Sequence, residues 1–220
     1  PMARFDIFMD EETLDFKFCE FNTDGTSCMS RDLVLGEAIA KGDAFKKFAN
    51  AHKSVENYEL FDSWANQCLK NYRECCFYRE NPLVVIADFM DEHATYSDFN
   101  RFADAFKRCG ARARVVDLRD LEFDGEHLKD KNDGEVVDCV YRRAVTCDIQ
   151  NNIDSCRGLI DAVAAEKVCL VGHFRTTVVH TKTVNIALFL PETRRFLTDS
   201  ECDFIDSHCP RTYRLDSGGI

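Results

Sequence analysis

The sequence predicts an α/β protein, and three observations lead there. Residues 83–87, 136–141 and 168–171 are short, largely apolar runs of the kind found in strands covered on both faces, as in a parallel sheet. Helical patterns alternate with them, in the order strand, helix, strand, strand, helix, strand, and this spacing indicates parallel crossovers and a three-layer α/β domain. Ahead of this series, residues 4–9 and 16–22 alternate polar and apolar side chains around a polar turn, Asp10-Glu11-Glu12-Thr13, and so read as an antiparallel hairpin.

In chain order, Ser30 is expected to cap a helix running through Leu33, Ala38, Ile39 and Phe45, with Lys46 and Lys47 at its negative pole. A second helix carries Tyr58, Phe61, Trp64, Ala65, Cys68, Leu69 and Tyr72 at helical spacing, and such an aromatic stripe marks a core face. After the strand at 83–87, a helix opens near Ser97 with Phe99, Phe102, Ala103 and Phe106 on one side and Gly110 at its end. Residues 114–118 form the next strand. The charged segment 122–135 reads as a solvated surface hairpin or loop, followed by the strand at 136–141, a helix over 153–166 and the strand at 168–171. Residues 178–188 form a helix with Lys182 in its first turn, another short helix lies near 200–206, and residues 211–215 begin a strand. The boundaries expected from this reading are 1–80, 81–178 and 179–220.

The hairpin carries the chemistry. Alternation places Arg4 and Asp6 on one face of the first strand, and Glu20 and Asn22 on one face of the second. Two carboxylates and an amide oxygen are hard ligands suited to Mg²⁺, and an arginine beside them suits a transferring phosphoryl group. The same alternation also fits a half-exposed sheet with no ligand. Arg-x-Asp followed on the next strand by Glu-x-Asn-Thr, with small hydroxyl residues after it, resembles the circularly permuted ATP-grasp ligases of the glutathionylspermidine synthase and glutathione synthetase type. The resemblance implies that Arg4 contacts the transferred phosphate, that Asp6, Glu20 and Asn22 hold Mg²⁺, and that Thr23 and Ser27 face the substrate.

Further along, the strand ending at Tyr141 is followed by Arg142 and Arg143. Adjacent arginines point to opposite sides, and the same resemblance favours Arg142 for substrate recognition, with an arginine at the sheet rim as the alternative. It also assigns Lys182, at the head of a helix, to the nucleotide phosphates. Asp88, Gly172 and His173 lie with these arginines at the carboxyl ends of strands, where ligands of open α/β sheets gather.

The fold implied is part of a permuted ATP-grasp core with an inserted substrate domain. The reaction implied is ATP-dependent joining of a small-molecule carboxylate to an amine through an acyl phosphate, with ATP as co-substrate. The glycine-rich nucleotide loop does not occur, and Gly218-Gly219 stand at the terminus, so the chain reads as about half of a synthetase, inactive without its C-terminal ATP-grasp portion. A formal charge of -11 argues against nucleic-acid or anionic-membrane partners. The 12 cysteines are scattered, with no Cys-x-x-Cys, and no apolar run approaches membrane-spanning length, which points to reduced thiols in a cytoplasmic protein. The rival reading is a non-catalytic α/β small-molecule-binding module whose hairpin is purely structural.

Overall fold

The computed structural model describes residues 2–26, 28–52, 54–91 and 96–215. The chain forms two compact units: one is Pro1–Thr26 with Gly172–Ile220, the other Ser27–Val171.

The first unit opens with strands β1 (Arg4–Met9) and β2 (Phe16–Asn22), paired antiparallel. Asp10 closes the turn between them, since its carboxylate accepts from the backbone of Glu12 and Thr13 and from the Thr13 hydroxyl. The pairing slips between Asp6, opposite Glu20, and Ile7, opposite Phe18, which leaves Cys19 as the extra residue of a β-bulge. Strict alternation along β2 would put Phe16 and Phe18 on the face of Glu20 and Asn22. The bulge instead gathers Phe18 and Phe21 with Phe5, ring centroids 5.7 and 5.5 Å apart, and leaves the charged side chains together on the other face.

The second unit begins with α1 (Met29–Ala40), α2 (Asp43–Ala51) and α3 (Phe61–Arg73). Expected as one helix, α1 and α2 are separated at Lys41-Gly42, and Ser30 makes no cap; Cys28 precedes the helix in a left-handed conformation. Next come β3 (Leu83–Asp88), α4 (Tyr96–Arg108), β4 (Arg112–Asp117), the short strands β5 (Leu121–Phe123) and β6 (Leu128–Asp130), then β7 (Cys139–Arg142), α5 (Thr146–Asn151), α6 (Arg157–Ala164) and β8 (Cys169–Val171). A four-stranded parallel sheet runs in the order β4-β3-β7-β8, and the chain is therefore mixed α/β with a parallel sheet, as expected.

The core explains why residues 29–73 belong to the unit of the parallel sheet rather than to the hairpin. Phe61, Ala65, Cys68, Leu69 and Tyr72 form the buried stripe of α3, and Phe61 and Trp64 pack on Phe102 of α4 and, through Trp64, on Tyr141 of β7. An aromatic stripe of this kind follows the sheet it covers. The hairpin β5/β6 is anchored rather than solvated: Leu121, Leu128 and Asp130 are buried, and Arg114 of β4 reaches both Asp130 and Asp133. Gly158 lies so close to this hairpin that an added Cβ would come within 2.7 Å of the Glu122 Cα, and only glycine fits.

After β8 the chain rejoins the first unit. The helix expected over 178–188 is two short ones, α7 (Thr177–His180) and α8 (Thr183–Ala187), with Lys182 at the N-cap of α8. Then follow α9 (Pro191–Arg194) and α10 (Asp199–His208), the latter opened by a capping box of Thr198 and Glu201. Its His208 ring stacks on Phe16 of β2, 4.2 Å between centroids. Residues 211–214 form no strand, and Gly218-Gly219 lie outside the described residues. Among the described residues no helix is long and apolar enough to cross a membrane.

Candidate functional site

In the hairpin unit, β-sheet register decides which side chains meet. Arg4 stands opposite Asn22 and Asp6 opposite Glu20, so all four leave the same face. Arg4 Nε donates to Asp6 Oδ1 at 2.9 Å and its Nη2 to Asp6 Oδ2 at 3.3 Å. Asn22 donates to Glu20 Oε1 at 3.4 Å.

Lys182, 162 positions beyond Glu20, completes the group. Its Nζ lies 3.1 Å from Glu20 Oε2 and 3.2 Å from the Cys19 carbonyl, the backbone oxygen at the bulge. The bulge therefore serves twice, by turning the aromatic residues away and by offering its carbonyl to the lysine. Charges of both signs balance: the Arg4 guanidinium holds Asp6 below the usual carboxylate range, and Glu20 raises Lys182 above the usual lysine range. The side chains stay reachable, Arg4 and Asp6 at 36% and 39% exposure, and Lys182 and Glu20 at 57% and 36%.

The loop that follows is pinned. The Thr23 hydroxyl donates to Thr176 O at 2.7 Å, its backbone N–H to His180 Nδ1 at 3.3 Å, and the Thr26 hydroxyl to Asn22 O at 2.7 Å. Thr23, expected to face substrate, is thus buried and spends its hydroxyl on the backbone of the returning segment. His180 went unnoticed in the sequence, where two residues of spacing from Lys182 were the only hint. Ser27 lies outside the described residues.

Donor chemistry decides whether Mg²⁺ suits this face. Two carboxylates and one amide oxygen on a half-exposed face match an ion that binds one or two protein carboxylates and keeps water or phosphate oxygens for the rest. Among the described residues no group of three or more His, Cys, Asp and Glu side chains is arranged to hold a metal, so the protein contribution here stops at that modest set.

In the sheet unit, the two arginines after Tyr141 divide differently from expectation. Arg142 is 1% exposed and donates to the Ala144 carbonyl. Arg143 instead borders a cavity of about 540 Å³, together with Ser30, Arg31, Ser97, Asp98 and Arg101. Its guanidinium lies 3.4 Å from Asp98 Oδ2, donates to the Tyr141 hydroxyl at 3.1 Å, and sits over the Phe99 and Phe102 rings. Ser30 donates to the other oxygen of Asp98, which is what draws the start of α1 onto α4. Three guanidinium groups against one carboxylate make this cavity attractive to an anion. Arg142 is not among its lining residues, because the strand's alternation turns it the other way.

At the carboxyl ends of β3 and β4, Asp88 and Asp117 are register partners, and burial pushes the Asp88 carboxyl above its usual range. His173 accepts from Arg175 N at 3.1 Å and caps a short turn. No protein-family model matches the chain, and no curated protein matches it.

Proposed function

We propose that this chain is part of a cytoplasmic ATP-dependent carboxylate–amine ligase of the permuted ATP-grasp, glutathionylspermidine synthase-like type, acting on small molecules, with Asp6, Glu20 and Asn22 holding Mg²⁺ and with Arg4 and Lys182 directed to phosphate. The observation that carries this reading is the convergence on one hairpin face of five side chains, one of them contributed from 162 positions away. Bound Mg²⁺ would neutralise phosphate oxygens of ATP. Asp6 and Glu20 are matched by Arg4 and Lys182 in this structure; with Asp6 and Glu20 holding the metal, Arg4 and Lys182 would be available to offset the repulsion between nucleotide and substrate carboxylate. No protein nucleophile is required for acyl phosphate formation.

A second reading, an α/β small-molecule-binding module, is favoured by the cavity of Arg31, Asp98, Arg101 and Arg143, which suits a carboxylate ligand whether or not any ATP chemistry occurs. Mn²⁺ in place of Mg²⁺, followed by electron paramagnetic resonance with and without ATP, separates the two. The ligase reading expects Mn²⁺ binding that Glu20→Gln weakens by at least about tenfold, and ATP turnover in the complete enzyme that the same change abolishes. Wild-type protein that leaves Mn²⁺ free even with ATP present overturns it. Carboxylate binding lost in Arg31→Ala, without any metal response, establishes the module instead.

A further inference from the structure

The cavity bordered by Arg143 is charged at one end and apolar at the other. It lies wholly within the sheet unit, with walls from one face of α1 and the start of α4. Arg31, Val34 and Leu35 line it from α1 at helical spacing, and Asp98 and Arg101 line it from α4 in the same way.

The four charged side chains are not equivalent. Asp98 and Arg143 are buried, 5% and 7% exposed, and pair with one another, while the Ser30 hydroxyl takes the second carboxylate oxygen. Among the described residues Arg31 makes no ion pair, and Arg101 donates only to the Ser30 carbonyl, at 3.4 Å. One arginine is thus matched by folding and two are left over. Asp98, through Ser30 and Arg143, fixes the start of α1 against α4 and so positions both of them.

Guanidinium forks match a planar, singly charged carboxylate through paired N–H···O bonds. A second negative charge on the same head would face Asp98 in the cavity wall. Beyond Arg31 the wall changes character. Val34 and Leu35 are 46% and 60% exposed, and the stripe continues at helical spacing to Ile39, 58% exposed, in a helix that buries none of its side chains. From Arg31 to Ile39 this apolar stripe runs about 12 Å, at a rise of about 1.5 Å per residue. The cavity's 540 Å³ is the size of a small-molecule site.

We propose that the cavity binds an aliphatic monocarboxylate of medium chain length, with its carboxylate held by Arg31 and Arg101 and its alkyl chain laid along Val34 and Leu35 toward Ile39. The proposal rests on the reading of this cavity as a carboxylate site and adds the apolar tail. Binding covers apolar surface that folding leaves in water.

Calorimetric titration of the intact chain with octanoate, acetate, octylamine and octyl phosphate is the test. Octanoate should bind at least about tenfold more tightly than acetate, since burial of a few methylene groups suffices for that factor, and octylamine should not bind. The part-exposed Cys28 thiol in the cavity wall locates the site: octanoate should slow its alkylation by iodoacetamide and leave exposed Cys76 and Cys147 unaffected. Arg31→Ala should weaken octanoate by about tenfold through the lost charged hydrogen bonds. Leu35→Ser should weaken octanoate by about threefold and leave acetate unchanged, with Trp64 fluorescence confirming the fold of both variants. Octylamine binding as tightly as octanoate, octyl phosphate binding more tightly, or octanoate affinity unchanged in Arg31→Ala would each overturn the proposal. Acetate matching octanoate would overturn it and leave the carboxylate module standing, whereas no binding by either carboxylate would remove both.

Discussion

Arg4 with Asp6 and Arg143 with Asp98 are the same two residue types in different settings. The first pair lies on a two-stranded hairpin and is more than a third exposed; the second is 6% and 8% exposed, beneath an aromatic cluster. In water the first pair gains little by meeting, so nothing in folding requires it, and both partners remain able to exchange for a ligand. The second pair is held by its surroundings: the Tyr141 hydroxyl, the Ser30 hydroxyl and the rings of Phe99 and Phe102 all depend on it. Charge that folding does not need is the better candidate for function, and charge that folding does need makes a poor one unless it borders a cavity, as Arg143 does.

Substitutions turn this contrast into measurable differences, with the sole tryptophan, Trp64, as a reporter of the sheet unit alone. Phe102→Ala should have the largest effect, about 4 kcal/mol, because the ring is fully buried among Phe61, Trp64 and Tyr141 and its loss leaves a cavity. Asp98→Ala should follow at about 3 kcal/mol, since it removes the carboxylate from a buried guanidinium. Denaturant midpoints read by Trp64 fluorescence check both. Glu20→Gln, which lies in the hairpin unit and is followed there by circular dichroism, should cost less than about 0.5 kcal/mol. A large shift for Glu20→Gln, or none for Asp98→Ala, would erase the distinction between the two kinds of pair.

The sequence revealed these settings unevenly. Unbroken apolar runs located the parallel strands because burial on both faces leaves no room for polar residues, and the α3 stripe was legible as core. What strict alternation could not reveal was the bulge at Cys19: parity along β2 puts Phe16 and Phe18 with Glu20, and only an extra residue restores the two faces. The choice between Arg142 and Arg143 also escaped sequence, since either arginine satisfies the pattern and the exact end of β7 decides which one turns inward. Nor could spacing show that Ser30 serves Asp98 instead of capping a helix, because a hydroxyl before an apolar run has both uses. The meeting of Glu20 with Lys182 lies beyond any local pattern, and the resemblance, which directed Glu20 to Mg²⁺ and Lys182 to the nucleotide phosphates, did not pair them.

The smallest expected effects are also opposite in sign, which makes them a sharp test of the contrast. Burial raises the Asp88 carboxyl above its model-peptide value of 3.8, so the folded protein binds a proton there more readily than the unfolded chain does. Stability tied to Asp88 is therefore greatest below pH 3.8 and is lost as the pH rises through the folded value. Asp88→Asn should be more stable than wild type at pH 7, keep an acceptor for the Phe89 N–H now bonded at 2.8 Å, and show no advantage in strong acid. Asp6 behaves in reverse: Arg4 lowers its carboxyl, so its contribution is present above pH 3.8 and disappears as the pH falls through the folded value. Asp6→Asn should be slightly less stable than wild type at pH 7 and equal to it in strong acid. Urea midpoints from pH 3 to pH 8, read by circular dichroism, give both curves. If the two variants shift in the same direction at pH 7, then exposure does not separate the carboxylates in the way their surroundings indicate.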